Sequence, residues 1–216
     1  MVRTTLYLSG DPHADALLSK DPLALLIGMV LDQQIPLEWA FRGPAELAER
    51  LHLALPLDAA QLAAMDPEDL VAAFSARPAL HRYPASMAAR VQALCQVVAD
   101  EYDNEAAAVW TTATDGRELK RRVQALPGFG EQKARIFVAL LGKQLGVRPA
   151  GWEDASEPFG EPGSYRSVAD IVDAESLATV RERKAAAKAA AKGARQAQDG
   201  GRPARGRRDA VATPKR

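Results

Sequence analysis

The segment from Glu118 to Leu141 restricts this chain more than any other. It reads as a polar-faced helix, the short turn Leu126-Pro127-Gly128-Phe129-Gly130, and a second, apolar helix carrying Ile136, Phe137, Val138, Leu140 and Leu141. Two glycines around one apolar residue let the backbone turn tightly, while Leu126 and Phe129 anchor the turn in a core. The amide N–H groups that open the second helix then point outward, and the positive end of its dipole faces the same way, which makes a seat for an anion. No nucleotide-binding strand precedes the turn, so a backbone phosphate of DNA is the expected occupant.

Elsewhere the punctuation is also helical. Asp21-Pro22 is an N-cap followed by proline at the first helical position, and Leu23, Leu26, Ile27, Val30 and Leu31 give a broad apolar face. Further helices are predicted over 44–53, from Asp66-Pro67-Glu68-Asp69, and from a Ser86 cap through Met87, Val91, Leu94 and Val98. Asn104 reads as the cap of a short helix reaching Trp110, and Thr114 or Asp115 as the start of the helix leading into the turn. Only Thr4 to Leu8 alternates as a strand would, so the chain is expected to be all-α. Glycines and prolines from Gly142 to Gly163 mark a long loop, of a length that is usually functional or mobile. A last helix should start near Asp173 and carry Lys184, Lys188 and Lys192 on one stripe; beyond Gly193 the composition is that of a disordered basic tail.

Composition removes several classes. With 47% hydrophobic residues the chain can build a substantial core, and it holds no apolar run of membrane-spanning length. The start Met1-Val2-Arg3-Thr4-Thr5 lacks the layout of a secretion signal, so a cytoplasmic protein without a membrane partner is expected. One cysteine, Cys95, can neither close an internal disulfide nor supply the four thiolates of an iron–sulfur cluster; among Val91, Leu94 and Val98 it reads as a small buried hydrophobe. His13, His52 and His81 are scattered, so no side-chain metal site is expected. The zero net charge hides an asymmetry. Of 28 basic and 28 acidic residues, twelve basic and three acidic fall in 181–216, so that segment carries +9, and residues 1–180, with 16 basic and 25 acidic, carry −9. Such a tail suits phosphate neutralisation and salt-sensitive binding; a solubilising extension would have the same composition.

The spacing Leu-Pro-Gly-x-Gly-x-x-x-Ala, from Leu126 to Ala134, resembles the helix-hairpin-helix motif in the form used by the helix-hairpin-helix-GPD base-excision DNA glycosylases. Leu31-Asp32-Gln33-Gln34-Ile35 resembles that family's Gln-Gln element and stands about ninety residues before the hairpin, as it does there. The resemblance implies a two-lobed helical glycosylase-like fold over residues 1–180, with residues 181–216 as a basic extension, helical giving way to disordered. It implies a monomeric, nucleoid-associated protein whose partner is double-stranded DNA, and hydrolytic release of a damaged or mispaired base. Gly128, Phe129, Gly130, Gln132 and Lys133 would meet DNA at the hairpin, and Gln33 and Gln34 would fill or probe the gap left by an extruded base. Glutamine suits that role because it offers donor and acceptor without the desolvation cost of a charge. Hairpin carbonyls would hold a structural K⁺ or Na⁺, with no other cofactor and no iron–sulfur cluster.

The chain departs from the family where chemistry is concerned. Members that also cleave the backbone carry a Schiff-base lysine two residues after the second hairpin glycine. Here that residue is Gln132, and Lys133, one place on, is rotated by about 100°. Lyase activity of the endonuclease III type is therefore not expected, and Lys133 is assigned to phosphate or solvent. The family's aspartate, which stabilises charge developing on the sugar or orients water, stands about 24 to 26 residues beyond the hairpin leucine. That count lands on Ala150 to Trp152, leaving Asp154 as the nearest candidate acid, Asp170 as a later one that could open a helix, and Glu153 as a third. Trp39 and Trp152 are candidates to line a base pocket, ahead of Phe41 and Trp110, and Leu80-His81-Arg82-Tyr83-Pro84 is a candidate DNA contact. Two alternatives stand beside the enzyme: a helix-hairpin-helix DNA-binding module without a catalytic acid, and a helical protein-interaction adaptor.

Overall fold

In a computed structural model, residues 5–200 are described, with the side chains of 188 and 191–200 left aside. Among the described residues every regular element is helical. The first group comprises α1 (Pro12–Lys20), α2 (Pro22–Leu31), α3 (Leu37–Arg50), α4 (Ala59–Ala63), α5 (Pro67–Ser75) and α6 (Pro84–Glu101). The second comprises α7 (Ala108–Thr111), α8 (Gly116–Ala125), α9 (Glu131–Gln144), α10 (Trp152–Ser156), a 3-10 turn at Val168–Asp170, and α11 (Ala174–Gly200). The extensive helix–helix contacts all fall within one group or the other, while a continuous apolar core runs through both.

Local cap chemistry explains much of this. Asp21 accepts the N–H groups of Leu23 and Ala24 through one oxygen and that of Leu57 through the other, so one buried carboxylate starts α2 and fastens a distant loop. Asp66 and Asp115 cap α5 and α8 as their sequence positions predict. α2 is buried on almost every side, which makes it the spine of the first group.

Several sequence expectations are corrected. The segment from Thr5 to Leu8 is not a strand: no neighbouring strand pairs with it, and the amides of Leu8 and Ser9 go to buried Asp15 instead. The helix predicted over 44–53 starts at Leu37 and holds Pro44 inside it, with the side-chain-free Gly43 packed against Leu31. α6 starts on Pro84, two residues before Ser86. Asn104 caps nothing in its own neighbourhood; its side chain accepts the Ala60 N–H at the head of α4. The long loop contains α10, which opens at Gly151 and buries Trp152 against Gly142, where any Cβ would overlap the indole. α11 continues through Gly193 to Gly200. The remaining basic tail, 201–216, lies outside the described residues, as do the side chains of Lys188 and Lys192.

No helix among the described residues is long and apolar enough to cross a membrane. Cys95 is fully buried on α6, and burial pushes its thiol up to about 12, which leaves it an inert packing group.

Candidate nucleic-acid interface

Where the two helix groups meet, a cleft of about 1130 Å³ opens between three walls. Met29 of α2 and the bend Asp32-Gln33-Gln34 form the first, the turn residues Gly128 and Gly130 with the start of α9 form the second, and Arg166, Val168 and the α11 residues Arg183, Lys184, Ala186 and Ala187 form the third. Two elements some ninety residues apart in sequence thus face the same space. Four cations, Lys133, Arg166, Arg183 and Lys184, line it against two acids, Asp32 and Glu131, on a body whose first 180 residues are net acidic.

The turn is built by burial and by backbone shape. Leu126 and Phe129 are buried, and the Phe129 ring meets Phe137 edge-on at 5.7 Å between centroids. Phe129 is therefore the anchor the sequence reading expected, and only its backbone is left to face the cleft side of the turn. Gly128 adopts φ +90°, and a Cβ there would press on Arg90 and Val30. Gly130 is different. Its φ of −89° and ψ of 176° suit any residue, and a Cβ would meet nothing within 4 Å. Within the turn the Leu126 N–H is spent on the Val123 carbonyl and the Phe129 N–H on the Leu126 carbonyl; the N–H groups of Gly130, Glu131, Gln132 and Lys133 have no partner among the described residues. They open the fourteen-residue α9 toward the cleft.

Gln33 and Gln34 separate into two roles. The Gln33 amide is consumed within the protein: its Nε2 donates to the Val30 carbonyl at 2.7 Å and toward the Met87 sulfur, and its Oε1 accepts from Arg90 at 3.0 Å. His81 is buried below, with Nδ1 accepting the Tyr83 N–H and Nε2 2.8 Å from the Gln33 carbonyl, which selects the tautomer protonated on Nε2. Burial pulls the His81 pKa down, partly offset by its backbone bonds to Gln33 and Leu31. Gln34 is exposed and held at φ +60°, a conformation uncommon for a residue with a Cβ. Gln33 and His81 thus position the bend, and Gln34 is the side chain left to reach out. Of the stretch Leu80 to Pro84, Arg82 and Tyr83 remain exposed.

Lys133 is also corrected. Its Nζ is spent within the protein, donating to the carbonyls of Met29 at 2.6 Å and Val30 at 3.2 Å and capping the negative end of α2 from across the junction. Burial, opposed by Asp32 and reinforced by Arg90, pushes its ammonium down to about 8 from an ordinary 10.5. Between those two values the unfolded chain keeps a proton that the folded one has shed, so stability rises with pH across that window; below it both states are charged and the burial cost is carried in full. In lysine labelled at Cε, NMR is expected to show one resonance titrating near pH 8 that is missing from Lys133→Met. A lysine set titrating uniformly above pH 10 would contradict this burial.

The candidate acids and rings lie elsewhere. Asp154 is exposed on α10 beside Glu153 and Glu157, in a surface depression of their own. Asp170 is buried and committed: one oxygen accepts from Lys143 Nζ at 2.6 Å, the other from Ser164 Oγ, Arg166 N–H and Ser167 N–H. Trp152 is packed on Gly142 beneath Arg148, Trp110 packs on Phe137, Phe41 is fully buried, and Trp39 lies in a separate depression with Glu38 and Arg42. The apolar surface of the cleft is aliphatic, from Met29, Ile136, Val168 and the two alanines. Sequence reasoning gave no role to Asp32, Arg90 or Arg166, and took Arg183 only as one of the basic residues of 181–216. Asp32 stood inside the Gln-Gln motif, whereas the others carry no local signal and meet the site only through tertiary packing. No family model matches the chain, nor does any curated protein or solved structure.

Proposed function

We propose that this is a DNA-binding base-excision repair protein of the helix-hairpin-helix glycosylase kind, a monofunctional N-glycosylase that releases a damaged or mispaired base from duplex DNA. One observation carries the reading: the Gly128–Gly130 turn, with the amides of Gly130 to Lys133 unpartnered among the described residues, and the Gln34 bend open onto a single cation-lined cleft. In this reading α9 receives a phosphate on its N-terminal amides, Gln34 enters the duplex beside the extruded nucleotide, and Arg166, Arg183 and Lys184 neutralise the strand opposite. The basic tail adds affinity without specificity. Pro127, Gly128 and Phe129 carbonyls have no partner among the described residues, which suits a structural K⁺ or Na⁺ at the turn. Lys133 is tied to two carbonyls, so no Schiff-base lyase step is assigned to it.

The second reading, a non-catalytic DNA-binding module, is favoured by the removal of Asp154 and Asp170 from the cleft. A base-release assay separates the two, using duplexes that carry alkylated, deaminated and oxidised bases and mismatches. The glycosylase releases at least one of these bases, unaffected by Asp154→Asn, and leaves no covalent adduct after borohydride. Salt-dependent duplex binding with no release from any substrate would establish the module, and absence of duplex binding would remove both readings.

A further inference from the structure

Resting on the glycosylase reading, we infer that Asp32, at the C-terminal end of α2, is the catalytic carboxylate of the cleft. The cleft holds only two acids among the described residues. Glu131 is exposed and already engaged, with Arg135 at 2.5 Å and Lys120 at 3.9 Å. Asp32 is half-buried, accepts no hydrogen bond and pairs with no cation within ion-pair distance among the described residues. Its position is costly. A carboxylate at a helix C-terminus faces the negative end of the dipole, where a cation is favoured, and its neighbour Gln34 occupies a left-handed backbone conformation. The Asp32 charge favours the Lys133 ammonium, but that Nζ bonds to the α2 carbonyls and not to the carboxylate, which leaves the Asp32 oxygens without a hydrogen bond among the described residues.

Its surroundings suit the chemistry. Lys133 is close enough to Asp32 for their charges to interact, while its own Nζ stays fixed on the α2 carbonyls. Gln34, two residues on, lines the same cleft, so a nucleotide extruded beside it enters the space that Asp32 faces. In the reaction the bond between C1′ and the base nitrogen breaks and its electron pair leaves with the base. Asp32 stabilises the positive charge on the sugar and accepts a proton from the attacking water as the oxygen joins C1′. That proton passes to the departing base, and the products are the free base and an abasic sugar with a hydroxyl on C1′.

The test is single-turnover base release by wild type, Asp32→Asn and Asp32→Glu, alongside the affinity of each for a duplex with a tetrahydrofuran abasic-site analogue, which binds without reacting. Asn keeps the shape of the α2 cap, and circular dichroism verifies the fold. Asp32→Asn is expected to lose about 10²- to 10⁴-fold in release while binding the analogue within about threefold of wild type, and Asp32→Glu is expected to recover part of the rate. Release by Asp32→Asn close to wild type overturns the assignment, as does a loss of analogue binding that matches the loss of rate, since a merely structural role would give that result. A wild type that binds the analogue but releases nothing removes the glycosylase reading itself.

Discussion

Asp170→Ala is expected to destabilise the protein by about 3–5 kcal/mol, the cost of breaking a buried ion pair and leaving one charge behind. The Lys143 and Asp170 side chains are 13% and 4% exposed, and their contact is 2.6 Å. Removing the carboxylate strands the ammonium in a low-dielectric site and frees the N–H groups of Arg166 and Ser167 and the Ser164 hydroxyl. It also dismantles the capping box with Ser167 that shapes the 3-10 turn, from which Gln144 takes three carbonyl acceptors. Urea unfolding followed by tryptophan fluorescence should show a lower midpoint with an unchanged slope. Asp170→Asn should lose stability as well, because the amide cannot pair the ammonium. An Asp170→Asn protein as stable as wild type would mean that this carboxylate is not structural and would return it to the list of candidate acids.

That case shows which parts of the chain were legible in sequence. Caps were, because Asp21, Asp66 and Asp115 bond to amides two or three residues ahead, and the bond and the sequence signal share one short window. The hairpin was legible for the same reason: its glycines, its apolar anchors and its helix start occupy consecutive positions. Side chains whose partners are remote were not. Asn104 has the composition of a local cap but serves α4, forty-four residues away. Pro44 looks like a first helical residue, yet the helix already exists when the chain reaches it. Counting forward from Leu126 led to Asp154 as the nearest acid, and α10 carries that residue into a depression with Glu153 and Glu157 instead of into the cleft. Gln33 and Gln34 were indistinguishable by type. Only the φ of +60° at Gln34, and the contacts of Gln33 with Arg90 and Val30, show that one is held and the other presented.

The second large effect concerns Gly130, where fold and function can be separated by one residue. At the N-cap of α9 a Cβ meets no protein atom within 4 Å and the backbone is extended, so a side chain costs the fold little. Aspartate is among the preferred N-cap residues and improves on glycine by a few tenths of a kcal/mol by accepting the N–H two or three positions on. In Gly130→Asp those are the amides of Gln132 and Lys133, two of the groups assigned to phosphate. The new carboxylate both occupies them and repels the strand. The loss of one charge-assisted hydrogen bond, about 1.5–3 kcal/mol, corresponds to roughly ten- to hundredfold in affinity.

The decisive measurement is fluorescence anisotropy of a labelled duplex titrated with wild type and with Gly130→Asp at one fixed salt concentration, each protein's thermal midpoint recorded alongside. A variant at least as stable as wild type that binds the duplex about ten- to hundredfold more weakly is the expected result. Equal affinity of the two proteins would show that the amides opening α9 do not hold a phosphate, and would contradict the assignment of this cleft to DNA.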